Sequence, residues 1–190
     1  MSAFDHVLLL LSFVYALALS LLLTRIAALI GPRTRVRASG LLLLAMADAI
    51  ITLLSNWLGT WDYHTAGGWD LPTVVVQFAY AVGIFLFCAL AAPDVPSEGV
   101  VDLEAYYWQQ RPALYWILIA SLLLGLPANL IFLNTSRPEL LAFDTAGLLG
   151  LLVPAVFGLV VRARWAQWAS WIVVGGAVAV LTAVADWRLR

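Results

Sequence analysis

The stretch GLLLLAMADAIITLLSNWLG, residues 40–59, is long enough to cross a bilayer and carries a carboxylate, Asp48, near its centre. An ionisable group at that depth costs about 2.5–3.5 kcal/mol on insertion scales, so it faces the interior of a helix bundle with a partner. Arg25, in the preceding apolar stretch, lies at nearly the same depth. At 1.5 Å per helical residue, Arg25 is roughly 9 Å and Asp48 roughly 12 Å from the shared end of their spans. The depths predict an Arg25–Asp48 ion pair that holds the first two spans in register. The alternative is functional, with Asp48 as a proton site.

A second group of polar side chains lies toward the opposite surface. Thr52, Ser55 and Asn56 follow Asp48 at helical spacing, and Gln77, Asn129 and Asp144 each fall a similar depth inside their own spans. Four helices thus supply one polar layer, and Asn56, Gln77, Asn129 and Asp144 are the candidate ligand-binding residues of a pocket open to that surface. The competing reading is a set of separate interhelical hydrogen bonds, each worth about 0.6 kcal/mol. Asp48 and Asp144 are roughly 10 Å apart along the membrane normal, too far to share a proton as a close acid pair does. His6 and His64 lack a cysteine or carboxylate at ligand spacing, and Cys88 lies in an apolar span as a small hydrophobe, so neither metal nor other cofactor is expected. HExxH, GxSxG, the phosphate-binding loop, CxxC and the Gly-rich dinucleotide loop are all missing, which argues against an enzyme of familiar mechanism.

Positioning these residues falls to six apolar segments, 7–30, 40–59, 72–92, 112–134, 139–161 and 165–187, each near the ~20 residues that a bilayer requires. The chain is 64% apolar and 11% charged, with a mean hydropathy of +0.97, which places it among integral membrane proteins. The first segment lacks a basic flank and exceeds the roughly 7–15 residues of a signal h-region, so it reads as a retained span. Arg33, Arg35, Arg37, Arg111, Arg162 and Arg164 fall on one side of a six-span arrangement, against Arg137, Arg188 and Arg190 on the other. The positive-inside rule then makes loops 31–39, 93–111 and 162–164 cytoplasmic and puts both termini in the periplasm. All ten basic residues are arginine, which suggests a GC-rich bacterial coding bias.

The middle loop, PDVPSEGVVDLEAYYWQQR, predicts a short interfacial helix over about 101–111, capped by Asp102 and lying on the inner leaflet. Tyr106, Tyr107 and Trp108 would sit at headgroup depth, and Asp102, Tyr106, Tyr107 and Arg111 form a candidate interface for a protein partner. Small residues recur at every fourth position, as in Ser12, Ala16, Ser20, Thr24 and Ala28, and such stripes allow close helix approach. Pro127 and Pro154 predict kinks in spans four and five. A shared aspartate in AMADAIITLL and LAFDTAGLLGLL hints at an inverted repeat.

The Leu23-Thr24-Arg25 end of the first span and the D-x3-Y-Y-x3-R motif from Asp102 to Arg111 resemble those of a widespread group of small multi-spanning bacterial inner-membrane proteins. The resemblance runs along most of the chain. It implies the same topology and emphasises Arg25 and the 102–111 segment, but it carries no activity. The sequence therefore predicts an all-α, single-domain, six-span bundle in a bacterial inner membrane that binds or transports a small or amphiphilic solute. The alternative is a non-catalytic accessory or scaffold subunit of a membrane complex. Expected partners are membrane lipids and a second copy or other membrane subunits, with no nucleic acid.

Overall fold

A computed structural model describes residues 3–31, 35–63, 69–95, 100–136 and 138–188, and it is an all-α bundle. Helices α1 (Ala3–Ile30), α2 (Gly40–Gly59), α3 (Leu71–Ala91), α4 (Leu103–Ser136), α5 (Pro138–Val160) and α6 (Arg164–Arg188) are each long and apolar enough to cross a bilayer. Helices are the expected solution, because a lipid-exposed segment must satisfy its own backbone polar groups. The chain is a multi-pass membrane protein. His64, Gly67-Gly68, Arg33, Arg137 and Arg190 lie outside the described residues.

Between α1 and α2, Arg35–Arg37 forms a strand, β1, that pairs in parallel with β2, Val100–Asp102, in the register Arg35 to Val100 and Arg37 to Asp102. The pairing brings the first and middle interhelical loops together at one end of the bundle. Glu104 ties the third loop to them, because its Oε2 accepts from the Ser39 hydroxyl (2.5 Å) and lies 3.7 Å from Arg164 Nη2. The three loops expected on a common side therefore share an end, called here the strand end.

The core is built mainly of α2 to α6, with α1 laid along α3 and the edge of α2. On α1 the buried positions are Phe4, Leu11, Tyr15, Ala18 and Leu22, the last four in the core, whereas Ala16, Ser20, Thr24 and Ala28 of the small-residue stripe face outward. Close approach occurs elsewhere. A Cβ on Gly175 of α6 would overlap the Asp48 carboxylate of α2, and one on Gly83 of α3 would overlap the Ser121 hydroxyl of α4. Both α4 and α5 continue through Pro127 and Pro154, and Ser170 of α6 donates to the Pro154 carbonyl (2.7 Å).

The interfacial helix expected over 101–111 is not a separate element. Residues 103–111 are the first turns of α4, continuous with span four through Pro112. Asp102 does cap that helix, accepting from the Ala105 amide at 2.9 Å. The same bond and the nearby Arg37 guanidinium hold its carboxyl below the usual range. The other motif residues point into the bundle: Tyr107 is 0% and Arg111 3% exposed. This corrects the expectation of a contact surface made of Asp102, Tyr106, Tyr107 and Arg111 at the two buried residues, Tyr107 and Arg111, while Asp102 and Tyr106 are partly exposed. The physical reason is that α4 begins early enough for its first turns to pack between the ends of α3, α5 and α6.

Those turns complete helix ends. The last carbonyls of a helix have no intrahelical donor and carry the negative end of its dipole. Arg111 Nη1 donates to the Gly158 (2.6 Å) and Leu159 (3.1 Å) carbonyls that close α5, and Gln167 Nε2 adds bonds to Gly158 (2.9 Å) and Val161 (2.5 Å). Gln167 Oε1 accepts from the Tyr107 hydroxyl (2.7 Å), which in turn accepts from Trp171 Nε1 (2.9 Å). At the end of α3, Tyr106 donates to the Leu90 carbonyl (3.1 Å) while Arg25 Nη1 donates to those of Ala89 and Ala92 (3.0 Å to Ala92).

Candidate functional site

Arg25 does not pair with Asp48. Its guanidinium turns to the end of α3 and to Asp94, with Nη2 2.7 Å from Oδ1, because the α3 carbonyls and a loop carboxylate offer it acceptors closer to water than the middle of α2 does. Asp48 is buried at the contact of α2 with α6, where Gly175 leaves room for its side chain, and its Oδ2 has no protein hydrogen-bond partner among the described residues. Depth matching was satisfied while rotation about the helix axes separated the two groups. Arg25→Ala and Asp48→Asn are accordingly expected to act additively on unfolding free energy, with a coupling energy within about 0.5 kcal/mol of zero in a double-mutant cycle. Asp94 is largely exposed, so Asp94→Ala alone costs less than about 1 kcal/mol. A coupling above that bound between Arg25 and Asp48 would restore the pair.

The polar layer, in contrast, converges. Asn56, Gln77, Asn129 and Asp144 all line a single cavity of about 170 Å³ among the described residues, together with Thr52, Ser55, Tyr63, Tyr80, Ser121 and Thr182. Helices α2 to α6 contribute to its wall and α1 does not. Ile84, Leu118, Leu151 and Val174 form its apolar part toward the bundle centre, and Gly59 and Tyr63 mark its extent at the end opposite the strands. Asp48 lies one helical turn from Thr52 but is not part of the lining, so buried Asp48 and half-buried Asp144 belong to different settings.

Local sequence explains the convergence. On α2, Thr52, Ser55, Asn56 and Gly59 recur at three- and four-residue intervals and so share a face, as Gln77, Tyr80 and Ile84 do on α3 and Ser121, Gly125 and Asn129 on α4. Asp70 starts α3 by accepting from the Thr73 amide (3.0 Å), and the Thr73 hydroxyl together with that amide holds its carboxyl below the usual range. The register of α3 that follows buries Gln77.

Part of the layer is interhelical hydrogen bonding. Tyr63 donates to Asn129 Oδ1 (3.2 Å), Ser55 and Thr182 join hydroxyl to hydroxyl (2.7 Å), and Tyr80 meets the Asn56 side chain within electrostatic reach of Asp144. Asn56 Nδ2 donates back to the Thr52 carbonyl (2.8 Å). These bonds leave a remainder. Thr52 Oγ1, Gln77 Oε1 and Ser121 Oγ, set in the cavity wall at 6%, 1% and 3% residue exposure, have no protein partner among the described residues. Buried polar groups are nearly always hydrogen-bonded, so three unpaired atoms around one cavity call for an explanation.

Tyr63, Tyr80 and Thr182 were not among the polar residues singled out from sequence. Tyr80 had a signal, since it follows Gln77 by three residues on an otherwise apolar helix. Thr182 stands one stripe beyond Gly175 and Val178 on α6, and Tyr63 lies past the end of its span, where aromatic rings are ordinary interface anchors. The described residues contain no cluster of three histidine, cysteine or acidic side chains that would hold a metal ion. Comparison with family models, with curated proteins and with solved structures finds no match to the chain.

Proposed function

We propose that the protein binds a small polar solute in the cavity between α2 and α6, as a binding or transport protein rather than an enzyme. The observation that carries this reading is the set of unpaired, buried polar atoms, Thr52 Oγ1, Gln77 Oε1 and Ser121 Oγ, around a cavity of about 170 Å³. Leaving such groups unmade costs about 1–3 kcal/mol each, a cost that a bound solute with matching polar groups removes. Engineered cavities of about 150 Å³ accept benzene, which sets the size of the occupant.

Orientation follows from charge. Arg35, Arg37, Arg162 and Arg164 are exposed at the strand end, and the positive-inside rule assigns that end to the cytoplasm of a bacterial inner membrane. The opposite end, with Gly59 and Tyr63, then opens toward the periplasm. The accessory-subunit reading loses part of its contact surface, because Tyr107 and Arg111 are buried within this chain, and keeps the exposed small-residue stripe of Ala16, Ser20, Thr24 and Ala28 on α1.

Native mass spectrometry of the protein in nanodiscs tests the proposal. The expected spectrum shows a reproducible small-molecule adduct that disappears in Gln77→Leu and in Asn129→Leu while the protein mass and oligomeric state persist. A spectrum with no adduct under any gentle release condition, in wild type and variants alike, would count against a solute site.

A further inference from the structure

Resting on the cavity as a solute site, we infer that its solute is a small hydrogen-bond donor without negative charge, an amine or a polyol, and not an anion. The inference comes from the balance of donors and acceptors in the wall. The lining contains no arginine, lysine or histidine among the described residues, and its one ionisable acid is Asp144. Carboxylate and phosphate recognition relies on basic side chains or on helix N-terminal amides aimed at the ligand.

Three donors of the wall are spent on the protein. The Tyr63 hydroxyl is committed to Asn129, Asn56 Nδ2 to the Thr52 carbonyl, and the Thr182 hydroxyl lies 2.8 Å from the Val178 carbonyl. The unpaired buried side-chain atoms of the wall are all oxygens. Gln77 Oε1 can only accept, and the Thr52 and Ser121 hydroxyls can accept as readily as donate. An anion in this setting would meet Gln77 Oε1 and the Asp144 carboxylate, with Ile84, Leu118, Leu151 and Val174 beside them and no cation among the described lining residues to offset its desolvation. An ammonium or hydroxyl group meets the same oxygens as a donor. The aliphatic floor takes the carbon skeleton, and the volume of about 170 Å³ restricts that skeleton to a few carbons.

Three probes on one three-carbon skeleton separate the possibilities: radiolabelled 1,3-diaminopropane, glycerol and malonate, each titrated onto the full-length protein in nanodiscs. The expected result is saturable binding of diaminopropane or glycerol, with the stronger of the two showing whether the site prefers an amine or a polyol, and no saturable binding of malonate. Gln77→Leu should weaken that binding by at least about tenfold. Ser121→Ala is the second variant should Gln77→Leu fail to assemble. Malonate binding as tightly as the other probes, and lost in Gln77→Leu, would overturn the solute class while leaving the site itself intact. If none of the three binds, the adduct in the native spectrum decides: a donor-bearing neutral or cationic molecule supports the inference, and an anionic one overturns it. No binding together with no adduct removes both the class and the site.

Discussion

Arg111→Ala is expected to destabilise the bundle by about 2–4 kcal/mol, read as the shift in unfolding free energy in mild detergent. The estimate follows from what the guanidinium does. It is 3% exposed and donates to the carbonyls of Gly158 and Leu159, where α5 ends without intrahelical donors. Removing it leaves the Leu159 carbonyl without that donor and returns Gly158 to Gln167 alone. It also withdraws a positive charge from the negative end of the α5 dipole. Arg111→Lys should recover only part of the loss, because one ammonium on a flexible stem does not reproduce the planar fork. A loss below about 0.5 kcal/mol, the usual range for a surface change, would mean that Arg111 does not close α5.

Gly158→Ala is expected to cost at least about 3 kcal/mol, toward the upper end of measured overpacking effects. Its added methyl would overlap the Tyr115 ring and lie 2.5 Å from Ser170 Oγ. Neither neighbour can withdraw easily. Tyr115 is fully buried and stacked on Trp171 at a ring separation of 4.8 Å, and Trp171 is stacked in turn on Phe87 at 5.9 Å. Ser170 is held by the Pro154 carbonyl. The helix must therefore move away, taking with it the carbonyls that Arg111 and Gln167 hold. Gly175 offers a useful contrast. The group facing it is the end of the Asp48 side chain, which can rotate, so Gly175→Ala should cost less than Gly158→Ala when both are melted under the same conditions. Equal costs would show that ring stacking does not lock the α5 contact.

Hydropathy and arginine placement revealed the six spans and the common end of three loops, because both depend on local composition. The convergence of Asn56, Gln77, Asn129 and Asp144 was also legible, since equal depth on several helices is a one-dimensional quantity that can be counted along the chain. What depth cannot supply is rotation about each helix axis. That is why Arg25 and Asp48, matched in depth, look in different directions, Arg25 to the end of α3 and Asp48 to Gly175. The segment around Tyr107 was misread for another reason. Aromatic rings before an apolar span suit a membrane interface and a protein interior equally well, and only the packing of α4 against α6 decides between them. Gln167 was invisible because its Nε2 donates to backbone carbonyls, which leave no mark in the sequence, and its Oε1 is met by Tyr107 from 60 residues away.

At the strand end, Arg25 and Tyr106 hold the end of α3, and Arg111 and Gln167 hold the end of α5. The opposite half contains the cavity, where polar atoms are still unpaired. The proposed solute site in this cavity is open to the surface bearing Gly59 and Tyr63. It is examined by placing a single reactive thiol in the cavity wall, Thr52→Cys, with native Cys88, buried between α2 and α3 beside the Ala49 carbonyl, as the internal control. In sealed proteoliposomes of known orientation, a membrane-impermeant thiol reagent should label Thr52→Cys from the side bearing Gly59 and Tyr63 and leave Cys88 untouched, with labelling slowed by a solute that occupies the cavity. Labelling from the strand end alone, or none from either side, would contradict a solute site open to that surface.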